Sequence, residues 1–304
     1  MLVLRAGVPK LRIDELAFSP DGASIFAPAG ASGLCRWSPI ASKGKAEVLT
    51  LPAKVVKRVA FSPDGRTLYA GSDQLCAFDL RSSSGSLVEI PKWATLQFAV
   101  SPDNKLFVAE ALQGTEGTRL TRWATDALHA PLREVTHSSP VYSVPLFPAD
   151  DRFLLLEGTL LPDRRWEYRR VTRSSETLEV IERSAPFPDD PDQMILSPDG
   201  KQITCRTRTT LRIYPAAGGW KSVPEMVNDG KQHFTGIAYH PSGRYLAATS
   251  NDKTVKLYDA ESGRFACAYD WDIGRMRSIA FSPDGLLAAA GSDTGKVVVW
   301  DVDV

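Results

Sequence analysis

Apolar and polar positions alternate with a period of two along most of this chain, in short stretches separated by clusters of Gly, Pro, Asp and Ser. That period places successive side chains on opposite faces of an extended backbone, so it predicts short antiparallel strands throughout. No capped stretch with a 3.6-residue period is long enough to predict a helix. Residues 59–80, VAFSPDGRTLYAGSDQLCAFDL, show the pattern most clearly. Here it predicts strands over Val56–Phe61, Thr67–Gly71, Leu75–Asp79 and Ser86–Ile90.

Two short motifs recur in step. The first is a turn, FSPDG at 18–22, 61–65 and 281–285, with altered copies VSPDN (100–104), LFPAD (146–150), LSPDG (196–200) and YHPSG (239–243). Neighbouring copies lie 39 to 50 residues apart. Pro presets φ at the second position of a type I turn, while Asp and Gly suit the third and fourth. The second motif is Leu or Val, two residues, then an aromatic: LCRW (34–37), LCAF (75–78), LTRW (120–123), LRIY (211–214), VKLY (255–258) and VVVW (297–300). The copy expected near 168–171, YRRV, is worn. Each unit thus supplies up to four strands, and a lone four-stranded meander cannot bury both of its faces. Radial stacking of such units does so.

These motifs, with Phe78-Asp79, Tyr258-Asp259 and Trp300-Asp301 as aromatic-Asp endings, resemble the WD-repeat (WD40) β-propellers over essentially the whole chain. The resemblance implies an all-β fold: a seven-bladed β-propeller of four-stranded antiparallel blades, one domain over 1–304. The unit ending at Trp300-Asp301 lacks a fourth strand, so Met1–Ala6 is expected to pair with Val297–Trp300 and close the ring, removing an exposed sheet edge. The repeats are degenerate. Where the family often places His in a buried polar network, this chain has Pro9, Pro52, Pro91, His137, Phe187, Gly230 and Asp272. The partner Ser appears as Ala70, Ala248 and Ala290, so blade packing should rest more on apolar contact, with Asp73, Asp252 and Asp293 acting as turn formers.

Composition narrows the function. Lys plus Arg equals Asp plus Glu at 36 each, which argues against a dedicated nucleic-acid binder. Cys35, Cys76, Cys205 and Cys267 are too far apart for a CxxC site and read as small strand residues in a reducing cytoplasm. No apolar run reaches the roughly 18 residues of a membrane span, and the first residues do not read as a signal peptide. The histidines, His129, His137, His233 and His240, show no metal or hydrolase spacing. PDDPD (188–192) lacks the spaced ligands of a calcium loop and reads as a polar connection. The expectation is therefore a non-catalytic, monomeric, cytoplasmic scaffold with a protein or peptide partner, no cofactor, no metal and no membrane contact. A hydrolase or small-ligand site in the central channel is the alternative. A ring of Asp, Glu or His on the axis would favour that alternative, and an apolar or Arg-rich channel would count against it.

By the resemblance, partners dock on the face where the first strand of each blade begins. In this register the face carries Arg12, Asp14, Lys57, Trp93, Leu96, Tyr142, Asp190, Asp192, His233, Arg275 and Arg277. Arg275, Arg277, Arg12 and Lys57 should form a basic arc, with Trp93, Leu96 and Tyr142 as an apolar anchor. The unit at 146–150 carries an insertion, GTLLPDRR, and a run of arginines: Arg164, Arg165, Arg169, Arg170 and Arg173. They either meet an acidic partner or phosphates, or form a solvated hairpin in which they pair with Glu167, Glu176 and Glu179. We take the second reading, since isolated surface charges are common.

Overall fold

The repeated turn reverses the chain by chemistry contained within itself. In the copy at 61–65, Ser62 Oγ donates to Asp64 Oδ1 (2.6 Å) and accepts from the Thr67 N–H (2.9 Å). Asp64 Oδ1 accepts in turn from the Arg66 N–H (3.0 Å). Gly65 closes the loop by donating its N–H to the Ser62 carbonyl (2.9 Å) at φ 69°, where a side chain would be strained. The same Ser–Asp bond recurs at Ser19–Asp21, Ser101–Asp103, Ser197–Asp199 and Ser282–Asp284 (2.5–2.6 Å). Serine is thus a full contributor to the motif beside Pro, Asp and Gly. In YHPSG the His240 ring takes the serine's place: Nδ1 accepts from the Ser242 N–H (3.2 Å), and Nε2 reaches the Gly285 carbonyl (3.1 Å) of the next unit's turn.

The serine hydroxyls first, and backbone N–H groups behind them, hold Asp21, Asp64, Asp103, Asp199 and Asp284 below the ordinary aspartate value of 3.8. The unfolded chain therefore takes up these protons at higher pH than the folded one. The resulting stability is present above 3.8 and is lost as pH falls through the depressed folded values. The melting temperature is expected to drop below about pH 4, and Ser62→Ala with Ser282→Ala should flatten that acid limb. Thermal melts across the acid range test this; identical limbs in both proteins would remove the turns from the explanation.

The computed structural model describes all residues except 41–44, 73, 89–95, 113–117, 138–143, 221–224 and 303–304. The described strands form seven four-stranded antiparallel sheets. Six are runs of four consecutive strands, over 17–49, 58–88, 96–137, 146–183, 193–227 and 234–270. The seventh combines Met276–Phe281, Leu287–Ser292 and Lys296–Asp301 with Leu2–Arg5 on its outer edge. Leu2 pairs with Val299 and Leu4 with Val297, as the expectation for Met1–Ala6 required. In the second sheet, Thr67–Gly71 and Leu75–Asp79 form as expected. The first strand begins at Arg58, not Val56, because Val56 exchanges both backbone bonds with Gly30 of the preceding sheet (3.0 and 3.1 Å). The fourth is Ser84–Val88 rather than Ser86–Ile90. Asp79 Oδ1 caps the Arg81 and Ser82 N–H groups and reverses the chain early. Ile90 lies outside the described residues.

Apolar clusters join each sheet to the next. Phe26 and Leu34 pack on Leu68 and Phe78; Tyr69 and Leu75 on Phe98 and Trp123; Leu120 on Phe153 and Leu155. Leu154 and Tyr168 then meet Ile203 and Tyr214, Leu211 and Ile213 meet Ile237 and Leu246, and Val255 and Leu257 meet Ala288 and Val298. Val297 and Val299 bring the last sheet back against Ile25 and Trp37 of the first. Inner strands are therefore covered on both faces. Phe153 and Leu155 face one neighbour, whereas Leu154 and Leu156 face the other. This is a β-propeller of four-stranded antiparallel blades.

The closing contact is tight. Ile13 donates its N–H to the Ser292 carbonyl (3.0 Å) and accepts from Ser278 Oγ (2.6 Å). A Cβ on Gly291 would lie 2.3 Å from the Ile13 side chain, so only glycine fits there. At the positions expected to lack histidine, Phe187 is buried against Tyr214 and Trp220. Asp272 is exposed and pairs with Lys253 (3.3 Å). Ala70, Ala248 and Ala290 are buried within the apolar clusters. One polar cluster does persist: buried Lys256 pairs with Asp229 (3.2 Å) and Asp252 (3.1 Å) and donates to Asn228. Asp252 is thus more than a turn former, although it also accepts the Thr254 N–H (2.9 Å). Asp73 and the side chain of His137 lie outside the described residues.

Candidate functional site

The first strands of the sheets leave a cavity of about 470 Å³ at the centre. Residues on or just before those strands line it, including Leu16, Leu146, Met194, Ile237 and Ile279. Charged groups stand among them: Asp14, Glu15, Arg58, Asp192, Arg206 and Arg277. Glu15 accepts the Val59 N–H (2.8 Å) and pairs with Arg58 (3.7 Å). Burial pushes its carboxyl above the usual range, against the pull of Arg58 and that N–H. Arg206 pairs with Asp192 (3.3 Å) and donates to the Phe234 carbonyl (2.8 Å); burial lowers its guanidinium pKa. Gly236 lets sheets six and seven approach, since a Cβ there would sit 2.8 Å from the Arg277 carbonyl oxygen.

Most expected face residues that are described gather at this end of the channel. Asp14, Asp192, His233 and Arg277 share one mouth with Arg206 and Arg208. Arg12, Asp14 and Lys57 line an adjoining hollow with Lys10. Arg12 is ion-paired with Asp14 (3.0 Å), so the charge of the expected arc rests on Lys57, Arg275 and Arg277. The Arg275 N–H is held by Asp293 Oδ1 and the His233 N–H by Asn251 Oδ1 (3.0 and 2.9 Å). Asp190 is exposed. Leu96 opens the strand Leu96–Val100, while Trp93 and Tyr142 lie outside the described residues. Glu15, Arg58, Arg206 and Arg208 did not figure in the sequence reading. Arg206 ends a second strand, and no spacing along the chain relates it to residues of other sheets.

Comparison with known proteins places the repeats in a family. The WD domain, G-beta repeat family matches at residues 46–77, 225–259 and 271–301. Those segments run over the first three strands of the second, sixth and seventh sheets, and the first two of them begin on the fourth strand of the preceding sheet. Three of its segments are WD repeats, and its fold is a β-propeller. Among curated relatives, actin-interacting protein 1 of Drosophila melanogaster is 32% identical over 94 residues, 30% of this chain and 15% of that protein. Periodic tryptophan protein 2 of Arabidopsis thaliana is 22% identical over 204 residues, 66% of this chain and 21% of that protein. Pre-mRNA-processing factor 19 homolog 2 of Arabidopsis thaliana is 29% identical over 103 residues, 33% and 20% respectively. The matches thus span about a fifth or less of these relatives' own lengths.

The propeller's fourth sheet departs from the others. Its strands Arg152–Leu160 and Trp166–Ser174 continue through much of the expected insertion, with Leu160 paired opposite Trp166. Leu146 at the start of the first strand pairs with Leu154, so the hairpin stands six residues, roughly 20 Å, beyond it on the channel-mouth face. Its arginines are largely occupied. Arg165 pairs with Asp163 and Arg169 with Glu167 (2.7 Å each). Arg170 is buried between sheets four and five, donates to the Gly218 carbonyl (2.7 Å) and lies over Trp220. Arg173 is buried against Glu157. Glu167 is the one expected partner that matches; Asp163, Glu157 and Glu182 take the others. The PDDPD carboxylates point to different cations, Asp189 to Arg212 and Asp192 to Arg206. Among the described residues no helix is long and apolar enough to cross a membrane.

Proposed function

We propose that residues 1–304 form one domain, a seven-bladed propeller sealed by Leu2–Arg5. We propose further that it is a non-catalytic scaffold for a protein or peptide partner. The docking face is the one carrying the channel mouth, with Lys57, Arg275 and Arg277 as its basic elements and Arg12, Asp14, Asp190, Asp192 and His233 around them. The observation that carries this reading is the state of the channel: its three carboxylates, Asp14, Glu15 and Asp192, are each tied to an arginine. General acid–base work through a carboxyl needs a free one converging on substrate. Paired carboxylates and open arginines instead suit recognition. The relatives' names, an interacting protein and a processing factor, fit such a role. A cytoplasmic monomer is the state in which we expect it to act.

The test is affinity capture from native extract followed by direct binding of the recovered partner to Arg275→Glu with Arg277→Glu. Two charge reversals at one face should weaken binding by about tenfold or more and make the remainder less salt-sensitive. A folded double variant that binds that partner as tightly as the native chain would remove this face from the proposal.

A further inference from the structure

The charges at the channel mouth do not cancel. Asp14 is paired with Arg12, Glu15 with Arg58 and Asp192 with Arg206. Arg277 and Arg208 line the same mouth. Among the described residues neither has an ion-pair partner, and Arg277 Nε is buried without a hydrogen-bond acceptor. Two guanidinium groups thus open onto one mouth. The central cavity adjoins this mouth, shares Arg277 with it, and is lined by Leu16, Ile237 and Ile279. Resting on the scaffold reading above, we propose that this mouth seats a carboxylate side chain of the partner, an Asp or Glu beside an apolar residue. The carboxylate meets Arg277 and Arg208, and the apolar neighbour meets the inner channel.

Two observations favour a peptide over other anions. Asp14 and Asp192 line the same mouth, so a polyphosphate chain would meet repulsion beside each attraction. A single carboxylate avoids them. The face also extends beyond the mouth to the fourth-sheet hairpin, whose tip exposes Leu160 (54%) and Trp166 (41%). A chain can span both features, whereas a small acid would fill the mouth alone. Arginine reads a carboxylate through two parallel N–H bonds, which gives direction as well as charge.

The experiment is selection of a random peptide display library on the full chain, followed by polarisation binding of the enriched peptides. Enriched sequences should share an acidic position flanked by an apolar residue. Changing that acid to its amide, Arg277→Gln, or Arg208→Gln should each weaken binding by about tenfold, and the peptide and Arg277 changes should not add. Arg208 is exposed, so its variant folds even where Arg277→Gln does not. Peptides lost with Arg275→Glu and Arg277→Glu yet indifferent to the acid-to-amide change would overturn the carboxylate anchor and leave the scaffold reading intact. Peptides indifferent to the charge reversal would overturn both. No enrichment, or inorganic phosphate binding through Arg277 without any enriched peptide, would overturn the peptide assignment.

Discussion

Removing Met1–Ala6 is expected to destabilise the protein severely and turn it toward aggregation. Leu2–Arg5 forms the outer edge of the last sheet, and its loss bares the N–H and C=O groups along Lys296–Val299 that it pairs. An uncovered edge of that kind is a template for another chain. The same residues hold the first sheet. The Arg5 carbonyl accepts from Trp37 Nε1 (3.2 Å) and the Ala46 N–H (2.9 Å), and Ala6 donates to the Gly295 carbonyl (2.9 Å). Leu4 is fully buried in the cluster that joins sheets seven and one. Leu4→Ala alone should cost about 2–5 kcal/mol, a large share of the roughly 5–15 kcal/mol that a domain possesses. Thermal melting and light scattering measure both effects. A truncated protein that melts where the native chain does and stays monodisperse would show that this strand is dispensable.

Glu157→Gln should cost about 3–5 kcal/mol, more than most surface charge changes by an order of magnitude. Glu157 is 3% exposed, and its oxygens meet Arg173 (2.8 Å) and Arg183 (2.6 Å). Arg173, 4% exposed at its side chain, also donates to the Leu178 carbonyl (2.7 Å). Neutralising the acid strands a guanidinium charge away from water, and that desolvation dominates. Replacing Glu157 and Arg173 together by leucine removes both charges and should recover much of the loss. Denaturant melts of the three proteins decide it. A Glu157→Gln protein within about 1 kcal/mol of native would mean that water reaches this cluster freely.

Local chemistry sets where the chain turns and where its strands run. The Ser-Pro-Asp-Gly copies close on their own hydrogen bonds, so their information is local and survives reading without a structure. Thr67–Gly71 and Leu75–Asp79 lie where the period of two put them, and Leu2–Arg5 pairs with the strand that lacked a neighbour. Tertiary structure alone decided which neighbour each side chain meets. A period of two separates Val297 from Val298, but only stacking sends the first toward sheet one and the second toward sheet six. The arginine run of the fourth unit looks like a solvated patch in sequence, yet Arg170 and Arg173 are buried because acids and carbonyls remote in the chain close over them. The channel is the extreme case. Glu15 and Arg58 come from the first and second units, Arg206 and Arg208 from the fifth and Arg277 from the seventh, and their charges acquire meaning only when radial stacking brings them around one axis, a distance relation that no local spacing encodes.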